Sequence, residues 1–143
     1  MEKFAITVDH VQEVVELDQV TKVPHAPPYM LGIINLRGKV LPLLDTKLKL
    51  GMEPTSVSKR SRIMVLDVET DDAKALQIGA LVDIAKDVIE LQPSDIQEVP
   101  DFESIKHNAP VTGLVNNGGD ITMIMDIQRI FTSAEIQNLK SIN

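Results

Sequence analysis

Apolar and polar residues alternate over residues 4–8, with Phe4, Ile6 and Val8 on one side and Ala5 and Thr7 on the other. A period of two is the signature of a strand. A second extended run covers residues 11–17. Prolines at 24, 27 and 28 then remove three backbone donors and hold the chain extended. Two apolar runs, residues 31–36 and 40–44, flank Arg37-Gly38-Lys39, and a Gly between strand-like runs predicts a hairpin. Residues 45–51 read as a short helical turn, capped by Asp45 at its start and ended by Gly51. Residues 52–62 are polar and basic and read as a loop. Residues 63–68 and 76–82 are strands rich in β-branched residues, joined through an acidic turn at 69–74. Further strands are expected at 87–91, 111–115 and 121–125, the last two joined by Asn116-Asn117-Gly118-Gly119. Residues 126–143 read as helical, and Thr132-Ser133-Ala134-Glu135 matches a capping box ahead of Ile136, Leu139 and Ile142.

The chain repeats itself. Residues 9–17 match residues 83–91 in pattern, and Val23-Pro24 answers Val99-Pro100. Gly32-Ile33-Ile34-Asn35 answers Gly113-Leu114-Val115-Asn116, and Leu43-Leu44-Asp45 answers Ile124-Met125-Asp126. Two copies of one strand plan predict two similar small β units. Many short strands with turn signals between them point to barrels or a sandwich.

Composition removes several classes of function. A chain of 143 residues fits one domain with a sizeable core. Its net charge of −7 argues against a nucleic-acid partner, because phosphate binding needs a basic surface. No apolar run approaches the roughly 18 residues of a membrane span. The absence of Cys rules out disulfides and thiolate zinc sites and suits a cytoplasmic protein. His10, His25 and His107 have no motif spacing, so no triad or zinc site is read from them. Glu13 with Asp83 is a conceivable acid/base pair, but carboxylates are too frequent here for that to carry weight. Asn117-Gly118-Gly119 lacks the Lys-Ser/Thr of a phosphate loop, and Met123 and Met125 alternate as core or interface residues do. No cofactor and no enzymatic activity are expected.

Arg37 is the odd residue of the first hairpin. Alone it reads as a solvated turn residue. The second hairpin carries Asn117-Gly118 where the first carries Leu36-Arg37-Gly38, so the turn itself does not demand an Arg. The segment Gly-Ile-Ile-Asn-Leu-Arg-Gly followed by Val-Leu-Pro-Leu-Leu-Asp, residues 32–45, closely resembles the signature of the CheW family of bacterial chemotaxis coupling proteins. Val11-Gln12-Glu13-Val14 resembles that family's Val-x-Glu strand end, and Gly79-Ala80-Leu81-Val82-Asp83 resembles its Gly-x-apolar-Val-Asp strand. The likeness runs along nearly the whole chain, in the family's order.

The resemblance implies a mainly β fold: two SH3-like five-stranded β-barrel subdomains around a shared apolar core, with a short C-terminal helix. Residues 1–143 would form one such domain. Family members begin with a further strand ahead of the segment matching Glu2–Ile6, so a strand is expected to be missing at the start. It also implies an adaptor that does no chemistry. Its partners would be the cytoplasmic tip of chemoreceptors and the regulatory domain of the histidine kinase CheA. Glu13 and Arg37 would form an ion pair near the partner surfaces, with Val11, Asn35 and Leu36 as neighbours in the site. The alternatives are a CheW-like piece of a CheA kinase or a CheV-type hybrid, or a small β-barrel ligand-binding protein or enzyme.

Overall fold

The computed structural model describes residues 3–70, 75–86, 88–98 and 110–140. Among these residues eight strands follow in order: β1 (Lys3–Ile6), β2 (Val11–Glu16), β3 (Met30–Leu36), β4 (Lys39–Leu44), β5 (Arg62–Val68), β6 (Leu76–Val82), β7 (Val111–Asn117) and β8 (Asp120–Met125). The described residues also form two short α-helices, α1 (Thr46–Lys49) and α2 (Ser133–Lys140), and 3-10 turns at Val8–His10, Pro93–Asp95 and Ile127–Arg129. The strands form a five-stranded sheet, β2-β5-β6-β4-β3, and a three-stranded sheet, β1-β8-β7. The fold is mainly β with two SH3-like units and a short C-terminal helix. The expected five strands stand in the first unit; the second has three among the described residues.

The first sheet closes on itself. Its edge strands are β2 and β3, and the chain just beyond β2 returns to β3: Thr21 N donates to Ile33 O at 2.9 Å and Ile33 N to Thr21 O at 2.8 Å. Closure removes an exposed edge. The barrel interior is apolar and built from Ile34, Leu41, Leu43, Ile63, Val65 and Leu81. Gly79 lies against it, where a Cβ would meet Ile63 Cγ2 at 2.9 Å.

A second apolar cluster lies on the opposite face of β5 and β6. Leu66, Val68, Leu76, Ile78 and Ala80 pack there with Ile127, Ile130, Phe131 and Leu139 of the C-terminal segment. Ile6 of β1 packs on the same cluster, so this core is shared by both units. Burial on both faces explains why β5 and β6 are continuous apolar runs rather than alternating ones.

The repeat is structural. β3 and β4 pair antiparallel with a bulge between Met30 and Gly32; β7 and β8 pair antiparallel with a bulge between Val111 and Gly113. The Thr21–Ile33 bridge is answered by a Gln97–Leu114 bridge. Parallel pairs Leu43–Gly79 and Leu44–Ala80 are answered by Ile124–Ala5 and Met125–Ile6. β1 therefore occupies, in the second sheet, the place that the end of β6 occupies in the first.

One expected strand is not formed. Residue 87 lies outside the described residues, and 88–91 carry no strand. The matching strand of the first unit, β2, is held by antiparallel pairing to β5. Among the described residues the second sheet has no such strand beside β1. The predicted turn at 69–74 also falls partly outside the described residues. The helical reading of 126–143 is corrected to a 3-10 turn at Ile127–Arg129, then α2; residues 141–143 lie outside the described residues.

Asp45 and Asp126 occupy matched positions and differ in depth. Asp45 is 2% exposed; its carboxylate accepts from Leu48 N at 3.3 Å, Thr55 N at 2.9 Å and Thr55 Oγ1 at 2.8 Å. Asp126 is half-buried and accepts from Gln128 N at 3.0 Å. Asp45→Ala leaves buried donors unpaired as well as a helix uncapped, so a loss of about 2 kcal/mol is expected in urea unfolding. Asp126→Ala is expected to lose about 1 kcal/mol or less, by removal of a cap alone.

α2 is fastened to the first unit at its start. Thr132 N donates to Glu135 Oε1 at 2.8 Å and Glu135 N to Thr132 Oγ1 at 3.2 Å, the predicted capping box. Glu135 also binds Lys49 of α1 at 3.0 Å, and Lys49 Nζ sits 5.4 Å from the centre of the Tyr29 ring. Burial, then the nearby Glu135 charge and a hydrogen bond to it, push the Tyr29 hydroxyl up to about 12. The ordinary value is about 10. A raised folded value means that this contribution to stability is complete below pH 10 and lost as pH climbs toward 12. Tyr29 is the one tyrosine and Trp is absent, so phenolate absorbance reports it alone. Its midpoint is expected near 12 in the native protein and near 10 when unfolded. A native midpoint near 10 would mean that the hydroxyl is not held as described.

Candidate partner-binding site

The hairpin between β3 and β4 turns on two residues, Arg37 with φ 52° and Gly38 with φ 86°. Its counterpart between β7 and β8 turns on Gly118 with φ 63° and Gly119 with φ 98°. Two successive positive φ values suit the right-handed twist of a two-residue hairpin. Each turn is fastened in the same way: Asn35 Oδ1 accepts from Gly38 N at 2.9 Å, and Asn116 Oδ1 accepts from Gly119 N at 3.1 Å. Arg37 thus stands where the repeat has Gly118. An L-residue with a long side chain is strained there, because its Cβ crowds the backbone.

The Arg37 side chain reaches across the barrel seam to Glu13 on β2. Arg37 Nη1 donates to Glu13 Oε1 at 3.1 Å, and Nη2 donates to Oε2, a two-bond fork. The two residues are 24 apart in the chain, on elements at opposite edges of the five-stranded sheet. The Arg37 side chain keeps 68% of its surface exposed and Glu13 keeps 32%. The hydrogen bond from Arg37 holds the Glu13 carboxyl below the ordinary range; desolvation opposes this and the guanidinium charge adds to it. The same bond raises Arg37 further above its ordinary value. A lowered carboxyl means the pair stands at neutral pH and fails only as pH falls through the folded Glu13 value. In an NMR titration Glu13 is expected to protonate below the ordinary carboxylate range of a glutamate.

A bulge in β2 between Val11 and Glu13 lets neighbouring side chains reach different partners. Gln12 Nε2 donates to Asp67 on β5, while Glu13 receives Arg37. Asp67 is the register partner of Gln77 on β6, and Gln77 Oε1 accepts from Lys39 Nζ at 2.9 Å. Lys39 follows the Arg37 turn. Polar side chains therefore ring one end of the first barrel, each link joining adjacent strands or the seam.

The five residues singled out in the sequence separate into two kinds. Arg37, Glu13 and Asn35 lie together at the barrel end, Asn35 as the turn's fastening and the other two as the fork. Val11 and Leu36 are half-buried, Val11 against the shared core and Leu36 against the barrel interior. Gln12, Asp67, Gln77 and Lys39 were not anticipated. No local motif signals them, since they meet only through sheet register.

Fold and site define a mainly β scaffold of two sheets, with an exposed Arg–carboxylate fork at one end of the closed five-stranded barrel. Residues 1–135 match the model of the CheW-like domain. Over 134 residues the chain is 33% identical to the chemotaxis protein CheW of Rhizobium meliloti, covering 94% of this chain and 83% of the relative. It is 26% identical to CheW of Bacillus subtilis, covering 95% of this chain and 84% of the relative. The crystal structure of the scaffolding protein TtCheW from Thermoanaerobacter tengcongensis is similar, with a TM-score of 0.77 at 29% identity, over 94% of this chain and 84% of that one. The chain belongs to the CheW-like family.

Proposed function

We propose that this protein is a chemotaxis adaptor that performs no reaction and joins a receptor's cytoplasmic helical hairpin to the regulatory domain of the kinase CheA. The observation that carries the reading is Arg37. The fold accepts Gly at this turn, as Gly118 demonstrates, yet the first hairpin holds an Arg in a backbone conformation that disfavours it. Strain of this kind is maintained at sites whose side chain serves a purpose. The fork to Glu13 fixes the guanidinium plane while most of the side chain still faces outward. A planar, pre-oriented cation suits recognition of a partner carboxylate or carbonyl better than an ammonium would. Val40 and Leu36 beside the turn supply apolar surface, as the centre of a protein interface requires. The adaptor would act in the cytoplasm. Holding both partners lets a receptor rearrangement change the kinase's balance of states, provided the contacts differ between those states.

Calorimetric titration of the full chain with a receptor hairpin fragment, then with the kinase regulatory domain, tests this reading. Saturable binding to each, and a ternary complex of all three on gel filtration, is the expected result. Binding to neither partner would overturn it.

A further inference from the structure

The first barrel carries charge at the end away from the fork, independent of the Arg37 reading. Asp67, the partner of Gln77, lies toward the fork end of β5, and Arg62 starts that strand at the other end. Residues 54–62, in the loop between α1 and β5, hold Lys59, Arg60 and Arg62 and no acidic residue, in a chain of net charge −7. The second unit has no counterpart, because β8 leads through the turn at Ile127–Arg129 into α2. The loop backbone is pinned at both ends. Buried Thr55 donates its N and its Oγ1 to Asp45. Buried Ser61 closes a tight turn: its Oγ accepts from Ser58 N at 2.8 Å, and its N donates to Ser58 O at 3.1 Å. Arg60 N donates to Ser58 Oγ at 3.1 Å. Arg62 faces Glu16 in register, yet its Nη1 donates to the carbonyls of Lys59 at 2.9 Å and Ser61 at 2.8 Å. Lys3, Arg37, Lys47 and Lys49 each form an ion pair; among the described residues Lys59, Arg60 and Arg62 form none. Val57, in the same loop, is 64% exposed.

We propose that residues 57–62 dock an acidic segment of a partner protein, its carboxylates meeting Lys59, Arg60 and Arg62 and an apolar side chain resting on Val57. A backbone fixed beforehand lowers the ordering cost of binding. Two carbonyls already orient the Arg62 guanidinium, and its Nη2 is left to donate to an incoming carboxylate. Cations around an exposed apolar side chain have the make-up of a protein interface. A lipid surface fits less well. Lipid recognition uses about four to eight clustered basic residues. This loop has three, and the net charge of −7 opposes approach to an anionic surface. Opposite charge on the partner segment steers it to this loop rather than to the acidic remainder of the chain.

The probe is the fluorescent peptide Glu-Asp-Leu-Glu-Asp-Leu-Glu-Asp, added to the full chain, with Gln-Asn-Leu-Gln-Asn-Leu-Gln-Asn as the neutral control. Anisotropy of the acidic peptide is expected to saturate, with an affinity that falls as salt rises. Amide shifts in the NMR spectrum of the chain are expected to move at residues 56–62. Lys59→Glu combined with Arg60→Glu reverses two exposed cations whose side chains hold nothing in the fold. It is expected to keep the native melting curve and to weaken binding about tenfold or more. Val57→Ser is expected to weaken binding by less. No saturation, equal binding of the neutral peptide, shifts centred on the Arg37 turn, or unchanged affinity in the folded double variant would each overturn the proposal. Binding to phosphatidylserine vesicles that the double variant loses, without binding of the acidic peptide, would overturn it too, by giving the loop to a lipid surface.

Discussion

Gly32→Ala is expected to destabilise the protein by about 4 kcal/mol, close to the largest effect that single substitutions ordinarily reach. Gly32 has φ 152°, and a Cβ built there would lie 2.3 Å from Thr21 O and 2.8 Å from Val20 Cγ1. The first of these atoms is backbone and cannot move aside alone. Thr21 O is also the acceptor for Ile33 N at 2.8 Å, the bond that closes the first barrel. Making room therefore parts the seam, and the overpacking strain adds to the cost of an unfavourable φ. The matched Gly113→Ala provides the control. Its nearest obstacle is a side-chain atom, Ile96 Cγ2 at 2.7 Å, and its φ lies outside the left-handed region. The exposed Ile96 side chain has room to shift where the Thr21 backbone has none, so a smaller loss, about 1–2 kcal/mol, is expected. Urea unfolding of both variants checks the pair. Equal losses would show that the seam does not depend on the close approach at Gly32.

Substitutions at Arg37 are expected to separate folding from binding. Arg37→Gly restores the residue that the repeat uses at this φ, so it relieves strain while removing the fork. Its melting temperature is expected to equal or exceed that of Arg37→Ala, which keeps the strain and loses the fork. Both are expected to weaken binding to the kinase regulatory domain or the receptor fragment about tenfold or more, as truncation of an interface Arg does. Arg37→Lys keeps the charge and loses the planar two-bond geometry, so partial loss of affinity is expected. Collapse of the fold in Arg37→Gly would show instead that the fork to Glu13, rather than the turn, holds the barrel end.

What the sequence made legible was local. The Arg37-Gly38 and Gly118-Gly119 hairpins, the Asp45 cap and the Thr132–Glu135 box each place their signal within a few residues. The repeat was legible because matched glycines and aspartates recur in order along both copies. Long-range placement was not. Nothing in the alternation of residues 4–8 tells that β1 crosses into the second sheet and runs parallel to β8. The strand reading of 87–91 was not met at 88–91, the part described, because a pattern shows that a run is fit to pair and not where in the fold it lies. The strain at Arg37 was equally hidden, because a positive φ at a non-Gly residue has no pattern of its own. The Glu13–Arg37 pair followed only from the family resemblance. Its members are 24 residues apart, and the bulge in β2 that aims Glu13 leaves no local mark.

The most direct measurement of the proposed role is a double-mutant cycle at the fork. Affinity for the CheA regulatory domain is measured for the native chain, Glu13→Ala, Arg37→Ala and the double variant, with each fold checked by its melting curve. If Glu13 acts by orienting Arg37 toward the partner, each single change weakens binding and the double change costs little more than Arg37→Ala alone. Four equal affinities, with all four chains folded, would contradict the account and leave the fork as a seam of the first barrel.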